Sequence, residues 1–325
     1  MNHIIIGAGA IGMLMASRLS LSGQDVWLWT RSQEQAVRIG DGGIKLAGAS
    51  GETEKAEPRL VRVQASSFFL PSAELAVGER EEMAVWLTVK QTHLNDAFIL
   101  KLRQLLPPGA LLLCMQNGIG HIERLKEALD KVEVIPVITT EGALTEKGGT
   151  LVRHTGQGQI HIAESTSAEA FALQKKLMIS LKKAGITAFL SKQLDDRIYQ
   201  KLLINSVINP LTALYQVRNG ELPEDPVRLK LMRALYEEGI HIVRAAGMTC
   251  SGKEWEMLLE VCRNTALNES SMFRDVRSGR ETEIDSINGG LAALGREFGL
   301  PAPLNAAMLS MVKALGFMQT ESAGF

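Results

Sequence analysis

Lys201, Asn205 and Asn209 recur at every fourth residue of an otherwise apolar stretch, so a helix there would set one ammonium and two amides on a single face. Buried groups of this kind cost stability unless each finds a partner, and the carboxylate or carbonyl of a small substrate would supply one. The alternative is a surface helix with a polar stripe. Pro210 follows the last amide and predicts a helix break at that point. Asn219-Gly220 signals a turn. Ser270-Ser271-Met272 and Thr282-Glu283-Ile284-Asp285 place polar groups beside helical runs, where they would serve as caps, with Thr282 or Asp285 starting the next helix.

A second constellation lies at the other end of the chain. Gly7, Ala8, Gly9, Ala10, Ile11 and Gly12 form G-x-G-x-x-G between the strand-like Ile4 to Ile6 and the helix-like Met13 to Leu21. In such a turn the first glycine allows the tight bend, the second lets the backbone approach a pyrophosphate, and the third packs helix against strand. The helix N-terminus then offers unpaired N–H groups to the phosphates. A dinucleotide site is the expectation, and a purely structural turn the alternative. An NAD site would carry an acid at the end of the next strand, but the sequence there reads Trp29-Thr30-Arg31-Ser32, and Asp25 comes too early. Arg31 would pair with a 2′-phosphate, which points to NADP(H), unless it is an ordinary solvated arginine.

The elements that must position these groups follow from periodicity. Short apolar runs at Ile4 to Ile6, Val26 to Trp29, Met83 to Val89, Leu111 to Met115, Val132 to Ile138, Gln159 to Ala163 and Ala188 to Leu190 alternate with amphipathic stretches such as Ala168 to Ala184. That is the pattern of a parallel sheet in an α/β Rossmann-like domain. Beyond Ser191 helical patterns take over, at Asp195 to Asn209, Val227 to Ala246, Gly252 to Ala266 and Ile284 to Phe298, so an all-α C-terminal domain is expected. The division is a nucleotide-binding domain over 1–191 and a helical substrate domain over 192–325. Gly51 to Ala76, polar and holding Pro58 and Pro71, reads as an edge hairpin or a surface insertion.

Composition narrows the function classes. The 325 residues predict two domains, and 35 basic against 36 acidic residues give no field to hold nucleic acid or an anionic membrane. Cys114, Cys250 and Cys262 form no CxxC pair, which argues against a disulfide framework and a cysteine metal site and fits a reducing cytoplasm. The N-terminus carries no positive leader, and no apolar stretch is long enough to span a bilayer. The six histidines show no ligand spacing and read as structural or surface residues. The apolar helical domain would suit a homodimer interface.

Taken together, Gly7 to Gly12, Thr88-Val89-Lys90, Gln116-Asn117-Gly118, Lys201 to Ala213, Asn219-Gly220, Ser270-Ser271-Met272 and Thr282-Glu283-Ile284-Asp285 through Asn288-Gly289 resemble the ketopantoate reductase family, in family order along nearly the whole chain. The resemblance implies that NADPH reduces the 2-oxo group of ketopantoate to (R)-pantoate, on the route to pantothenate and coenzyme A. It implies Lys201 as proton donor and Glu283 as the acid beside this lysine and the cofactor. Asn205, Asn209 and Asn219 match substrate-binding amides, and Ser271 matches a hydroxyl that meets the substrate carboxylate. Asn117 matches a contact to both nicotinamide ribose and substrate. Arg31 and Lys90 match the pair on the 2′-phosphate side, and Ala143 matches a backbone contact to the cofactor. No metal is implied. The chain departs from the family in the strand-end segment Thr88-Val89-Lys90-Gln91-Thr92-His93, a region where the family varies, and around Glu146 to Gly149, where two residues are added.

Three other readings compete. A different 2-oxo acid would use nearly the same residues. A 3-hydroxyacid or glycerol 3-phosphate dehydrogenase also joins a Rossmann-like domain to a helical one and uses a lysine, but Asn205, Asn209 and Glu283 favour ketopantoate reductase. A non-catalytic NADP-binding sensor would keep the glycine turn and Arg31 and have no use for Lys201.

Overall fold

The computed structural model describes residues 1–48, 59–68, 82–146 and 149–321. Most of Gly51 to Ala76, and the middle of the expected insertion between Glu146 and Gly149, lie outside the described residues. The chain forms two compact units. One comprises Met1–Gln116 and His121–Leu194, the other Asn117–Gly120 and Asp195–Phe325.

The first unit contains β1 (Asn2–Ile6), α1 (Ala10–Leu21), β2 (Val26–Thr30), α2 (Gln33–Gly42), β3 (Ile44–Ala47), β4 (Arg59–Val61), β5 (Gln64–Ser67), β6 (Met83–Leu87), α3 (Asp96–Leu105), β7 (Leu111–Cys114), α4 (His121–Ala128), β8 (Glu133–Thr139), β9 (Gly142–Thr145), β10 (Leu151–Gly156), β11 (Ile160–Ala163), α5 (Ala168–Lys183) and β12 (Ala188–Ser191). Eight strands form one sheet in the order β12-β11-β8-β7-β6-β1-β2-β5, parallel except where β11 meets β8. Its central strands are continuous apolar runs because both faces are covered. Ile4 and Ile6 enter the core beneath α3 and α4, whereas Ile5 enters the core that also holds Met13 and Leu14 of α1 and Leu177 of α5.

The other sheet, β4-β3-β10-β9, packs on α1. Met13, Leu14, Met15, Ala16, Ser17 and Leu19 are accordingly all buried, so α1 is apolar around its circumference rather than along one stripe. Glu141 ties this arrangement together: its carboxylate accepts from Arg18 Nη1 of α1 at 3.2 Å, His154 Nε2 of β10 at 2.6 Å and the Gly158 N–H at 3.2 Å. Burial raises its pKa, and these three contacts more than offset that and hold it below the usual carboxylate range.

Two other histidines are buried as neutral groups. Trp86 Nε1 donates to His3 Nδ1 at 3.3 Å, so His3 Nε2 carries the proton and donates to Gln24 Oε1 at 2.9 Å. His121 Nδ1 lies 2.8 Å from Gln91 Nε2. Burial pushes both imidazoles down from 6.5 to about 4. Their contribution to stability is complete above pH 6.5 and is lost as pH falls through about 4, because the unfolded chain binds the protons first. Each histidine should cost about 2 kcal/mol of unfolding free energy between pH 6.5 and about pH 5. Denaturant titrations at the two pH values check this, and equal stability would contradict the neutral, buried assignment.

The second unit contains α6 (Asp195–Tyr215), α7 (Pro226–Ala245), α8 (Glu254–Asn264), α9 (Ser271–Arg277), α10 (Gly290–Glu297) and α11 (Pro303–Glu321) around its own core. A π-helical turn at Asp285–Gly289 leads directly into α10. The expected helix break at Pro210 does not occur: α6 continues through the proline to Tyr215. Proline has no N–H for the carbonyl of Ser206, four residues back. Asn288 Nδ2 donates to that carbonyl instead, at 2.9 Å, and removes the reason for the helix to end. Ser270 caps α9 as expected, accepting from Phe273 N at 3.0 Å. Asp285 lies inside the π turn and pairs with Lys313 at 2.6 Å. No helix among the described residues is long and apolar enough to cross a membrane.

Candidate active site

Strand register builds a candidate cofactor site in the first unit. Ile6 pairs with Trp29 on one side and Leu87 on the other, so β1, β2 and β6 end level with one another. The glycine turn, Arg31 and Lys90 follow those three ends, at the carboxyl edge where open α/β sheets bind ligands. Gly7 has φ +118°, a region that favours glycine. A Cβ on Gly12 would lie 1.9 Å from the Gly7 carbonyl oxygen. A Cβ on Gly9 would meet no protein atom within 4 Å. Thus Gly7 and Gly12 are required by the fold, whereas Gly9 keeps clear a space that none of the described residues fills.

Helix α1 begins without a side-chain cap and without an acid in its first turn, whereas α2, α3 and α5 are capped by Ser32, Asn95 and Ser167. Uncapped N–H groups at the positive end of a helix dipole suit an anion. Thr88 Oγ1 braces the turn by donating to the carbonyls of Ile6 at 3.1 Å and Gly7 at 2.9 Å. Gln116 Nε2 holds the carbonyls of Leu87 and Val89, each at 3.0 Å, and so supports the segment that leads to Lys90. Arg31 is exposed and pairs with no carboxylate among the described residues. Ala143 lies on β9, which packs on α1. Thr88 and Gln116 enter the sequence reading only as members of matching stretches and not with these roles: hydroxyl and amide contacts to strand-end carbonyls leave no periodic trace.

The helical unit carries its own group of candidate site residues. Lys201, Asn205 and Asn209 share one face of α6; Asn209 is buried and the other two are partly buried, so the face is not a solvated stripe. The side-chain amides of Asn205 and Asn209 make no hydrogen bond among the described residues. Glu283 is 8% exposed and accepts from Asn117 Nδ2 at 3.1 Å. The loop carrying Asn117 is fastened to the π turn, since Ile119 N donates to Ser286 O at 3.1 Å and a Cβ on Gly118 would stand 2.3 Å from that same oxygen. Burial lowers the Lys201 ammonium from 10.5 to about 8, against the opposing pull of the Glu283 carboxylate.

Asn219 supplies another open group. Its Nδ2 donates to Thr265 Oγ1 at 2.9 Å, and that hydroxyl is itself committed to the Val261 carbonyl at 2.6 Å. The amide orientation is therefore fixed, and the buried Asn219 Oδ1 is left as an acceptor without a partner among the described residues. Ser271 is exposed at the start of α9, beside Ser270, whose hydroxyl bonds Thr212 of α6 at 2.7 Å. No cluster of three or more metal-ligating side chains occurs among the described residues. A partly buried ammonium beside a carboxylate, with amides awaiting partners, is equipped to hold a small polar acid and to donate a proton to it.

Comparisons with known proteins accord with this arrangement. Residues 3–167 match the family model "Ketopantoate reductase PanE/ApbA", and residues 193–316 match "Ketopantoate reductase PanE/ApbA C terminal". The chain is 34% identical over 311 residues to the 2-dehydropantoate 2-reductase of Bacillus subtilis, covering 96% of each. A crystal structure of a PanE/ApbA family ketopantoate reductase from Ralstonia eutropha superposes with a TM-score of 0.84 at 25% identity, over 98% of this chain and 100% of that one. The ternary structure of D-mandelate dehydrogenase with NADH and anilino(oxo)acetate shares the fold, with a TM-score of 0.83 at 22% identity over 98% and 99% of the two chains. With both family models matched in order over most of its length, the chain belongs to the ketopantoate reductase family of oxidoreductases.

Proposed function

We propose that the chain reduces ketopantoate to (R)-pantoate with NADPH, in pantothenate and coenzyme A biosynthesis. The observation that carries this reading is the partly buried, desolvated Lys201 ammonium set against the buried Glu283, on a helix face whose Asn205 and Asn209 amides have no partner among the described residues. The open position at Gly9 and the uncapped start of α1 fit the pyrophosphate of a dinucleotide. Arg31 and Lys90 hold its 2′-phosphate side, Ala143 meets it through its backbone, and Asn117 and Glu283 bind near its nicotinamide ribose.

NADPH, when bound, supplies the hydride that reduces the 2-oxo carbon. Lys201 protonates the carbonyl oxygen as negative charge develops there, and its ammonium stabilises that charge before the proton moves. Glu283 keeps the lysine charged and aimed. Asn205 and Asn209 hydrogen-bond the substrate, and Ser271 meets its carboxylate. Asn219 Oδ1 can only accept, so it selects a substrate with a hydroxyl to donate, as ketopantoate has.

A second reading, another 2-oxo acid as substrate, is favoured by the likeness in fold to D-mandelate dehydrogenase, which is described with NADH and anilino(oxo)acetate. NADPH oxidation followed at 340 nm over a panel of 2-oxo acids separates the two. The proposal expects ketopantoate to give the highest kcat/KM. A phenyl-bearing 2-oxo acid as the best substrate would support the second reading. Tight NADPH binding with no oxidation by any acid would instead identify a sensor.

A further inference from the structure

The carbonyl that Pro210 leaves open belongs to Ser206, in the turn between Asn205 and Asn209 on the helix that carries Lys201. Its donor, Asn288, sits in the π turn that begins two residues after Glu283. We propose that Asn288 is a positioning residue, holding the Glu283 segment in register with the Lys201 helix through the Ser206 carbonyl. The inference rests on the reaction proposed above.

The bond is part of a buried chain. Asn288 is 0% exposed; its Nδ2 also donates to Asn305 Oδ1 at 2.8 Å, and Asn305 Nδ2 donates to Glu238 Oε1 of α7 at 2.8 Å. Glu238 in turn accepts from the backbone N–H groups of Leu304 and Asn305 at 2.9 and 2.8 Å, at the start of α11. Helices α6, α7 and α11 are thereby referred to one side chain in the π turn. The same turn receives the Asn117 loop at Ser286, and Ile287 N donates to the Glu283 carbonyl at 3.1 Å. Displacing Asn288 would thus displace the residue that faces Lys201.

Stability alone does not account for this design. Asn288 Oδ1 is buried without a hydrogen-bond partner, a cost that an apolar side chain beneath an unbroken helix would avoid. Proline inside the helix and a π turn beside it are both departures from the most stable choice, and π turns of this kind occur often at functional sites. An arrangement that accepts both and joins them by one hydrogen bond fixes geometry at the expense of stability.

The test is the pH profile of kcat with NADPH and ketopantoate for the wild type and Asn288→Ala. The charged groups around the π turn are Glu283, Lys201 on α6, Glu238 on α7, and Asp285 paired with Lys313 on α11. Of these, Glu283 opposes the depression of the Lys201 ammonium. Asn288→Ala should lower kcat about tenfold or more, a larger effect than on NADPH affinity, because Glu283 is only one of several groups proposed to meet the cofactor. Its alkaline limb should move below the wild-type position, because a loosened Glu283 leaves burial less opposed.

Asn305→Ala, which spares the bond to Ser206, should lower the melting temperature and leave the limb in place. A folded Asn288→Ala protein with the wild-type limb overturns the inference. If Asn288→Ala yields no folded protein, Pro210→Ala replaces it: this variant gives Ser206 a backbone donor that competes with Asn288, so the limb should move the same way in a helix at least as stable. An unmoved limb would then overturn the inference. A wild type that reduces no 2-oxo acid defeats the proposed reaction, and this inference with it.

Discussion

Lys201→Ala should lower kcat for ketopantoate reduction by about three orders of magnitude, within the range for loss of a positioned acid and its electrostatic stabilisation, while NADPH binds within about twofold of wild type. The separation arises because the lysine lies on α6 of the helical unit, whereas the glycine turn, Arg31 and Lys90 follow strands of the other unit. On the proposed mechanism the ammonium is the form that donates, and burial brings it down to about 8. The rate should therefore be level below that pH and fall above it. Lys201→Arg would keep a charge that does not titrate in this range, so the alkaline limb near 8 should disappear along with most of the activity. Steady-state kinetics from pH 6 to pH 10, with NADPH affinity followed by fluorescence, measure both effects. A Lys201→Ala enzyme retaining wild-type kcat would remove the lysine from the chemistry.

Arg31→Asp is expected to weaken NADPH by about 10- to 100-fold while changing NADH by less than about threefold, since a charge-assisted contact to a phosphate is worth roughly 1.5–3 kcal/mol and only one cofactor carries that phosphate. The side chain is available for this role: it stands just beyond β2, is exposed, and has no carboxylate partner among the described residues. The backbone around it is held, because Thr30 Oγ1 donates to Ser32 O at 2.7 Å and the Ser32 hydroxyl caps α2. The preference of the wild type for NADPH should also narrow as ionic strength rises. Equal losses for the two cofactors in Arg31→Asp would leave the assignment of NADP without its argument.

Much of the fold was legible because its signals are local. Apolar runs flanked by turns marked β1, β2, β6, β7 and β8, and the fading of those runs beyond Ser191 marked the helical unit. The small sheet was harder. Its strands β3, β4, β9 and β10 are only three to six residues long, and β3 pairs with β10 from a distant part of the sequence, so little within a short window distinguishes them from loops. Pro210 misled for a related reason. A proline in an isolated helix breaks it, and here the compensating donor, Asn288, is supplied by tertiary structure.

The two candidate regions divide in the same way. The spacing of Lys201, Asn205 and Asn209 was visible as a helix face, and that of Gly7, Gly9 and Gly12 as a turn. Glu283 and Asn117, 166 residues apart and joined by a 3.1 Å hydrogen bond, have no connection that spacing could reveal. The open acceptor on Asn219 likewise depends on Thr265 and Val261, which commit its amide nitrogen from a neighbouring helix.

The central claim is hydride transfer from NADPH to the 2-oxo carbon of a small acid, with Lys201 as the proton donor. Its most direct test is the reduction of ketopantoate by NADPH deuterated at C4, with the product analysed by mass spectrometry and NMR. The account predicts (R)-pantoate carrying one deuterium at C2, formed by the wild type and not detectably by Lys201→Ala in the same time. NADPH that binds the wild type yet delivers no deuterium to ketopantoate or any other 2-oxo acid would contradict it.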